Sequence, residues 1–307
     1  MTNILLGCGI AGLLAHYYMP DTKIMSPDIG GQAIENVAAP RYLDYAKQTK
    51  KLLSDLDVAP QIKKIKLGFY FNNKFYSSPS KKIKLAAAMK KMQETGFKNT
   101  ARIKDISFGT GGKTIKYFDI SFEAIINLLA RSLKKEDYIK AKAALVSAKN
   151  KFVMDREQHK YFFDTLISTL PAPEFRYILY DGYFTADLRY APVTFITCNK
   201  APAVFRDMRE KYQQIYVVDS HLKYSRVTWT ADNKAVCEFT GVVSKEDARA
   251  YLDSDMNITN YFVQRVGLIT SKPVNDTQNI LFLGRLAQWN SNIKVEHVIQ
   301  KILEMRE

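Results

Sequence analysis

Apolar positions open this chain as a continuous run rather than as an alternation. "NILL" at 3–6 leads into glycines at 7, 9 and 12 and then into "LLAHYY". That order predicts a buried strand over 3–6 and a helix over 10–19, stopped at Pro20. "TKIMS" predicts a second short strand closed by a Pro-Asp-Ile-Gly-Gly turn. From Arg41 to Val58 the apolar residues Leu43, Ala46, Leu52, Leu53 and Leu56 fall near one side of a helix. The pattern then changes. "IKLGFYFNNKFYS" sets two aromatic-rich runs around Asn-Asn and predicts a hairpin. "SPSKKIKLAAAMKKMQETG" predicts a helix with Ser78 or Ser80 near its start, Pro79 in its first turn and Gly96 past its end.

Residues 122–133 and 138–148 predict helix or mixed segments, and "KYFFDTLISTLPAP" predicts a strand that stops at Pro171 and Pro173. Between Phe175 and Val266 short β-prone runs dominate, among them "RYILYDGYF", "APVTFITC", "QIYVVD", "YSRVTWT" and "AVCEFTGVV". Helical stretches interrupt them near 203–212 and 245–252. The last segment, "TQNILFLGRLAQWNSNIKVEHVIQKILEMRE", reads as strand, glycine turn and helix. Strand–glycine–helix units at both ends, with a β-rich region between them, predict a two-lobed α/β chain without internal repeats.

Composition narrows the class. A length of 307 residues supports a sizeable core in one large domain or two moderate ones, and 47% hydrophobic with 25% charged residues argues against a disordered chain. No apolar run is long enough to span a bilayer and no signal peptide precedes the first strand, so a cytoplasmic, non-membrane protein is expected. Three cysteines and four histidines show neither metal-ligand spacing nor a disulfide framework, and no metal is expected.

Charge changes the picture further. The formal net charge is +14, and residues 61–116 alone hold 14 Lys/Arg against Glu94 and Asp105. A field concentrated in this way attracts phosphate-bearing partners. Phe69, Tyr70, Phe71, Phe75 and Tyr76 interleave with Lys63, Lys64, Lys66 and Lys74, a pattern that serves base stacking or half of a core sheet.

Gly7-x-Gly9-x-x-Gly12, placed between a strand and a helix, satisfies the dinucleotide fingerprint. Gly7 permits the tight turn, Gly9 lets the backbone approach a diphosphate, and Gly12 lets helix and strand pack closely. The helix start then offers unpaired N–H groups to the anion. The second strand, which usually ends in an acid for the ribose hydroxyls, ends here in Ser26, with Asp28 two residues on. "GTGGKT" (109–114) lacks the leading glycine of a P-loop, since Ser107 stands there, and reads as a hairpin turn. Cys8 reads as a small buried residue, and the histidines as surface or packing groups.

Together these stretches resemble FAD-dependent enzymes of the amine-oxidase and UDP-galactopyranose-mutase type, in a reduced-size form. "GCGIAGLL" resembles their pyrophosphate loop, "DIGGQA" the Gly-Gly turn after the second strand, "YFFDTLISTLPAP" the strand returning to the FAD domain, and "NILFLGRLAQW" the C-terminal strand and glycine turn beneath the flavin. The resemblance implies an α/β fold with a discontinuous Rossmann-like FAD-binding domain (1–60, 117–173 and 262–307). An α+β substrate domain built on a β-sheet would take 61–116 and 174–261.

It further implies non-covalent FAD on Gly7, Gly9, Ile10, Ala11, Gly12, Ser26, Asp28, Gly30, Gly31 and Gln32. Gly284 and Arg285 would meet the ribityl–phosphate portion, and Trp289 would lie close to the ring. Asn290 stands where the mutase pattern continues with an arginine for the substrate diphosphate, which sets this chain apart from the mutase reaction. Arg226, on a strand of the substrate lobe, and Lys81, Lys82 and Lys84 are the expected contacts for an anionic substrate.

The expected function is FAD-dependent chemistry on a phosphate-bearing substrate, with a nucleotide or a modified base in DNA leading the candidates. The alternatives are an amine oxidase or nucleotide-sugar mutase-like enzyme on a small metabolite, and a nucleic-acid-binding protein that keeps the fold without catalysis. No residue is assigned a catalytic role, and oligomeric state is left open.

Overall fold

A computed structural model describes residues 2–31, 43–96, 115–181, 188–230, 232–269, 273–277, 279–290 and 292–306. The expected cofactor contact at Gln32 and the "GTGGKT" turn lie outside the described residues.

A five-stranded parallel sheet runs in the order Ile280–Phe282, Thr165–Ser168, Asn3–Cys8, Thr22–Ile29 and Tyr138–Ile139. The first strand is central because its apolar run has no polar face to show to water. Leu5, Ile24 and Ile167 point into a core shared with the helices Ile10–Tyr18, Phe122–Ala130 and Val295–Arg306. Ile4, Leu6, Met25 and Leu166 point the other way, onto a four-stranded sheet. That sheet has the order Lys160–Phe162, Phe152–Asp155, Ala143–Ser147 and Leu179–Asp181. The register shifts between Leu6 and Cys8, which turns Cys8 to the helical side beside Leu5. Its thiol is buried and pushed up to about 11 by that burial, so it is no nucleophile at neutral pH.

A seven-stranded sheet forms the second body of β-structure. Its order is Ile258–Ile269, Tyr190–Cys198, Ala235–Thr240, Tyr224–Trp229, Gln214–Val217, Leu67–Phe71 and Lys74–Tyr76. The expected Asn-Asn hairpin is present, with Asn72 and Asn73 both at positive φ (51° and 56°), the geometry that suits strand twist. The helix Lys81–Thr95 packs Ile83 and Ala87 onto Phe69 of this sheet and onto Val218, just past the strand Gln214–Val217. Ser80 caps it by accepting from the Ile83 N–H, and Gly96 ends it in the left-handed conformation. The strand Ile258–Ile269 is continuous across residue 262, the expected domain boundary.

Several elements differ from expectation. The 41–58 helix is shorter, Lys47–Asp55, and a strand Leu43–Asp44 precedes it. Residues 138–148 hold two strands and no helix, because Tyr138–Ile139 pairs with Thr22–Ile29 and Ala143–Ser147 joins the four-stranded sheet. The run ending at the prolines is two strands in two different sheets, Lys160–Phe162 and Thr165–Ser168. "RYILYDGYF" begins inside the helix Ala172–Ile178, since Pro171 and Pro173 set the first helical turn rather than only ending the strand.

Candidate functional site

The glycines gather where three segments meet at the C-terminal end of the parallel sheet. Gly7 has φ +97°, and a Cβ there would stand 2.5 Å from Thr169 Oγ1. Thr169 is held in that place: its hydroxyl donates to the Leu6 carbonyl at 2.8 Å and to the Gly7 carbonyl at 3.2 Å. A Cβ on Gly12 would come within 2.1 Å of the Gly7 carbonyl oxygen, so the helix lies directly on the loop. At Gly9 a Cβ would meet, among the described residues, the Gly30 carbonyl alone, at 4.0 Å, which leaves room above the backbone. Two glycines are required by contact and the third borders room for a ligand.

The Gly-Gly turn closes on the same spot. The Gly30 N–H donates to the Cys8 carbonyl at 2.7 Å, and a Cβ on Gly31 would lie 3.5 Å from Gly9 Cα. From the far end of the chain, Gly284 (φ +95°) approaches until a Cβ on it would lie 3.0 Å from that of Ala11. The sheet sets this meeting, because the Leu283 N–H donates to the Ser168 carbonyl at 2.9 Å and the Thr169 N–H to that of Leu6 at 2.9 Å. The structure therefore brings Gly7, Gly9, Ala11, Gly12, Gly30, Gly31 and Gly284 together. The helix Ile10–Tyr18 begins at Gly9 with no acid in its first turn and, among the described residues, no side-chain cap, so its N-terminal N–H groups are offered to a ligand.

The second strand ends differently from the usual acid. Ser26 is buried and its hydroxyl donates to the Asp28 carbonyl at 2.8 Å, while the Asp28 side chain is exposed. Tyr138, absent from the expected set, donates to the Ser26 carbonyl at 2.9 Å, and burial pushes its phenol up to about 12. A cleft of about 460 Å³ opens beside Pro27 and Ile139, with Lys140, Arg156 and His159 on its walls. Asp155 at its base accepts from the His159 N–H, the His159 ring and the Tyr161 hydroxyl. Burial opposes its ionised form, but the hydrogen bonds from His159 and Tyr161 prevail and hold the carboxyl below its ordinary range.

Trp289, which the resemblance expects close to the ring, is an interior residue of the turn after Gly284. It is fully buried at φ +52°, packed on Ala172 with its ring edge-on to Tyr190 at 5.8 Å, and its Nε1 has no partner among the described residues. It braces the 284–289 turn from behind and offers no open face. The final helix begins at Val295, well after the glycine turn.

The lysines of Lys81–Thr95 separate by helical phase. Lys81, Lys82 and Lys84 are exposed. Lys90 is buried, and its ammonium donates to the carbonyls of Val217 (3.1 Å), Asp219 (2.9 Å), Leu222 (2.7 Å) and Tyr224 (3.1 Å). Burial pulls it down to about 8 while the charges of Glu94 and Asp219 act the other way, and four carbonyls favour the ammonium. Lys91, one residue on, is pulled down by burial, with the charges of Glu238 and Glu94 acting against that and those of Arg226 and Arg285 with it. Arg226 pairs with Glu238. The Gln214 amide, its oxygen turned toward the guanidinium, accepts from Nη1 at 2.8 Å and Nε at 3.0 Å. No spacing in the sequence joins residues 214, 226 and 238; only the sheet does.

Among the described residues no three or more His, Cys, Asp or Glu side chains are grouped to hold a metal, and no helix is long and apolar enough to cross a membrane.

No family model matches the chain, and no curated protein matches it by sequence. Solved structures do match the fold. Reduced UDP-galactopyranose mutase superposes with a TM-score of 0.68 at 10% identity, over 99% of this chain and 94% of that one. A fatty acid isomerase from P. acnes gives 0.65 at 11% identity, over 99% and 97%. Wild-type putrescine oxidase with putrescine bound gives 0.61 at 10% identity, over 99% and 97%. The chain thus shares one fold with enzymes of different chemistry.

Proposed function

We propose that this chain is a flavoenzyme that binds FAD without a covalent bond and acts on an anionic substrate. The carrying observation is the meeting of Gly9, Gly31 and Gly284, from three distant segments, around one uncapped helix start. A diphosphate fits there: the N–H groups at the start of Ile10–Tyr18 would hold it, and Gly9 would let it come close. Asp28 would reach the ribose, since the Ser26 hydroxyl already donates to the Asp28 carbonyl. The cleft beside Pro27 has room for the nucleoside end. When bound, FAD supplies the electron or hydride acceptor, and the protein positions the substrate against it. The shared fold of a reduced mutase and an oxidase supports the same reading.

The substrate reading is phosphate-bearing, a nucleotide or a modified base in DNA. It is supported by the charge of residues 61–116 and by the exposure of Lys81, Lys82 and Lys84. An absorption spectrum of the purified protein tests the cofactor: flavin bands, with FAD released intact on heat denaturation, are expected. Colourless protein that takes up no added FAD overturns it. A gel shift with DNA at two salt concentrations then separates polymer from nucleotide.

A further inference from the structure

We propose that the cleft beside Pro27 holds a second ligand site, where His159, Arg156, Lys140 and Lys142 bind a phosphate dianion, free or as a monoester, while FAD is in place. That this ligand is additional to FAD rests on the flavoenzyme reading; the anion chemistry does not. The nucleoside end of FAD is uncharged, so the cations on the cleft wall answer to something else.

Three segments build that wall. Pro27 lies near the end of Thr22–Ile29, Lys140 and Lys142 stand between Tyr138–Ile139 and Ala143–Ser147, and residues 156–159 turn between Phe152–Asp155 and Lys160–Phe162. The last turn is closed from within. The Asp155 N–H donates to the His159 carbonyl at 3.1 Å, and the Gln158 N–H to the Asp155 carbonyl at 3.3 Å. The buried Asp155 carboxylate is spent there as well, on the His159 N–H at 2.9 Å, the His159 Nδ1 at 3.1 Å and the Tyr161 hydroxyl at 3.1 Å. An ionised carboxylate can only accept, so Nδ1 carries a proton and the exposed ring offers Nε2 to a ligand. A dianion at Nε2 favours the imidazolium, whose second N–H then donates to it.

Lys140, Lys142 and Arg156 are exposed, and among the described residues none of the three is ion-paired or hydrogen-bonded through its side chain. With Asp155 spent, Glu157 is the other carboxylate on the lining. Three cations and an oriented imidazole thus stand against one acid, and a concave wall adds their fields. Arginine brings a bidentate fork that matches phosphate, and lysine a point charge. A protonated amine would meet like charge. The volume of about 460 Å³ is that of a small-molecule site.

Calorimetric titration of the FAD-saturated protein with AMP, inorganic phosphate and adenosine tests this. AMP should bind at least roughly ten-fold more tightly than adenosine if the ligand is a monoester. Phosphate bound as tightly as AMP makes the free anion the ligand. Arg156→Gln and His159→Gln should each weaken the anion roughly ten-fold, and Arg209→Gln, at an exposed position after residues 203–208, should change nothing. Should His159→Gln disturb the hairpin by circular dichroism, Arg156→Gln carries the test, because its side chain holds no neighbour in place. Neither anion bound, affinity untouched by Arg156→Gln, or binding that saturating FAD abolishes overturns the proposal. Protein that binds the anion through Arg156 but never takes up flavin would sink the flavoenzyme reading and leave the anion site standing. Flavin uptake with no Arg156-dependent anion binding would do the reverse.

Discussion

At Gly7, Gly9 and Gly12 the backbone makes the contacts, whereas along Lys81–Thr95 the side chains do, and the helix sorts identical lysines into three environments. In the glycine loop, position and role coincide. Gly7 faces Thr169, Gly12 faces the Gly7 carbonyl, and Gly9 faces open space, each as its place in the fingerprint requires. In the lysine helix, role follows from phase against a sheet that the helix alone does not encode. Lys81, Lys82 and Lys84 face water, Lys90 ties down residues 217–224, and burial pulls Lys91 below its ordinary value with the charges of Glu238 and Glu94 opposing. A net charge of +12 over residues 61–116 conceals that division.

The most severe way to break the comparison is at Gly12. Its missing side chain is a condition of the fold, so Gly12→Leu should cost more than about 4 kcal/mol, since the first carbon would already lie 2.1 Å from a backbone oxygen. Insoluble protein, or a collapsed melting temperature by calorimetry, is the expected result. A variant as stable as the parent would show that helix and strand do not depend on this close approach.

Lys90→Met comes next. It leaves four carbonyl oxygens without their donor and should destabilise by about 3–5 kcal/mol in denaturant titration. Lys84→Gln, on the exposed side of the same helix, should stay within about 0.5 kcal/mol. Equal destabilisation at the two positions would erase the distinction between buried and exposed lysines.

What could be read in advance follows the same division. Local stereochemistry made the glycine loop, the Asn-Asn hairpin, the Ser80 cap and the Gly96 stop legible, because each is settled within a few residues by φ/ψ preference or a single hydrogen bond. Long-range pairing settled the rest. Residues 138–148 became strands because the edge of Thr22–Ile29 accepts Tyr138–Ile139. Thr169 acquired its role from a carbonyl 163 residues earlier. Lys90 and Lys91 are the same letter side by side, and their difference lies in carbonyls at least 127 residues away. The packing of Trp289 is illegible for a related reason: nothing near it in the sequence names Ala172 and Tyr190 as its neighbours.

Gly9→Ala sharpens the comparison more gently. Gly9 has φ −78° and ψ −174°, a conformation alanine adopts without strain, and among the described residues the new methyl would meet no atom nearer than 4.0 Å. Stability should hold or rise by about 0.4–1 kcal/mol. FAD affinity, followed by flavin fluorescence, should fall roughly ten-fold or more, because the methyl stands where the diphosphate must approach. Opposite signs for folding and binding would separate this glycine from Gly12. An alanine that binds FAD as well as the parent would remove the loop from the cofactor site.

The smallest expected effect on folding is at the exposed end of the lysine helix, and there it decides the most about partners. Lys81→Gln, Lys82→Gln and Lys84→Gln combined should change stability by no more than about 0.5 kcal/mol per site, since none is buried or held by a network. If these lysines track a nucleic-acid backbone, DNA affinity should fall and its salt dependence should flatten by roughly one counterion for each phosphate that is no longer neutralised. If the substrate is a small molecule bound at the glycine cradle, the triple variant should act on it as the parent does and show no DNA shift to lose. The two outcomes exclude each other because Lys81, Lys82 and Lys84 stand on the exposed side of their helix. That side meets bulk water, where salt screens a field within a Debye length of about 8 Å, whereas a site enclosed by protein is screened less. Salt dependence therefore distinguishes a polymer bound outside from an anion bound within.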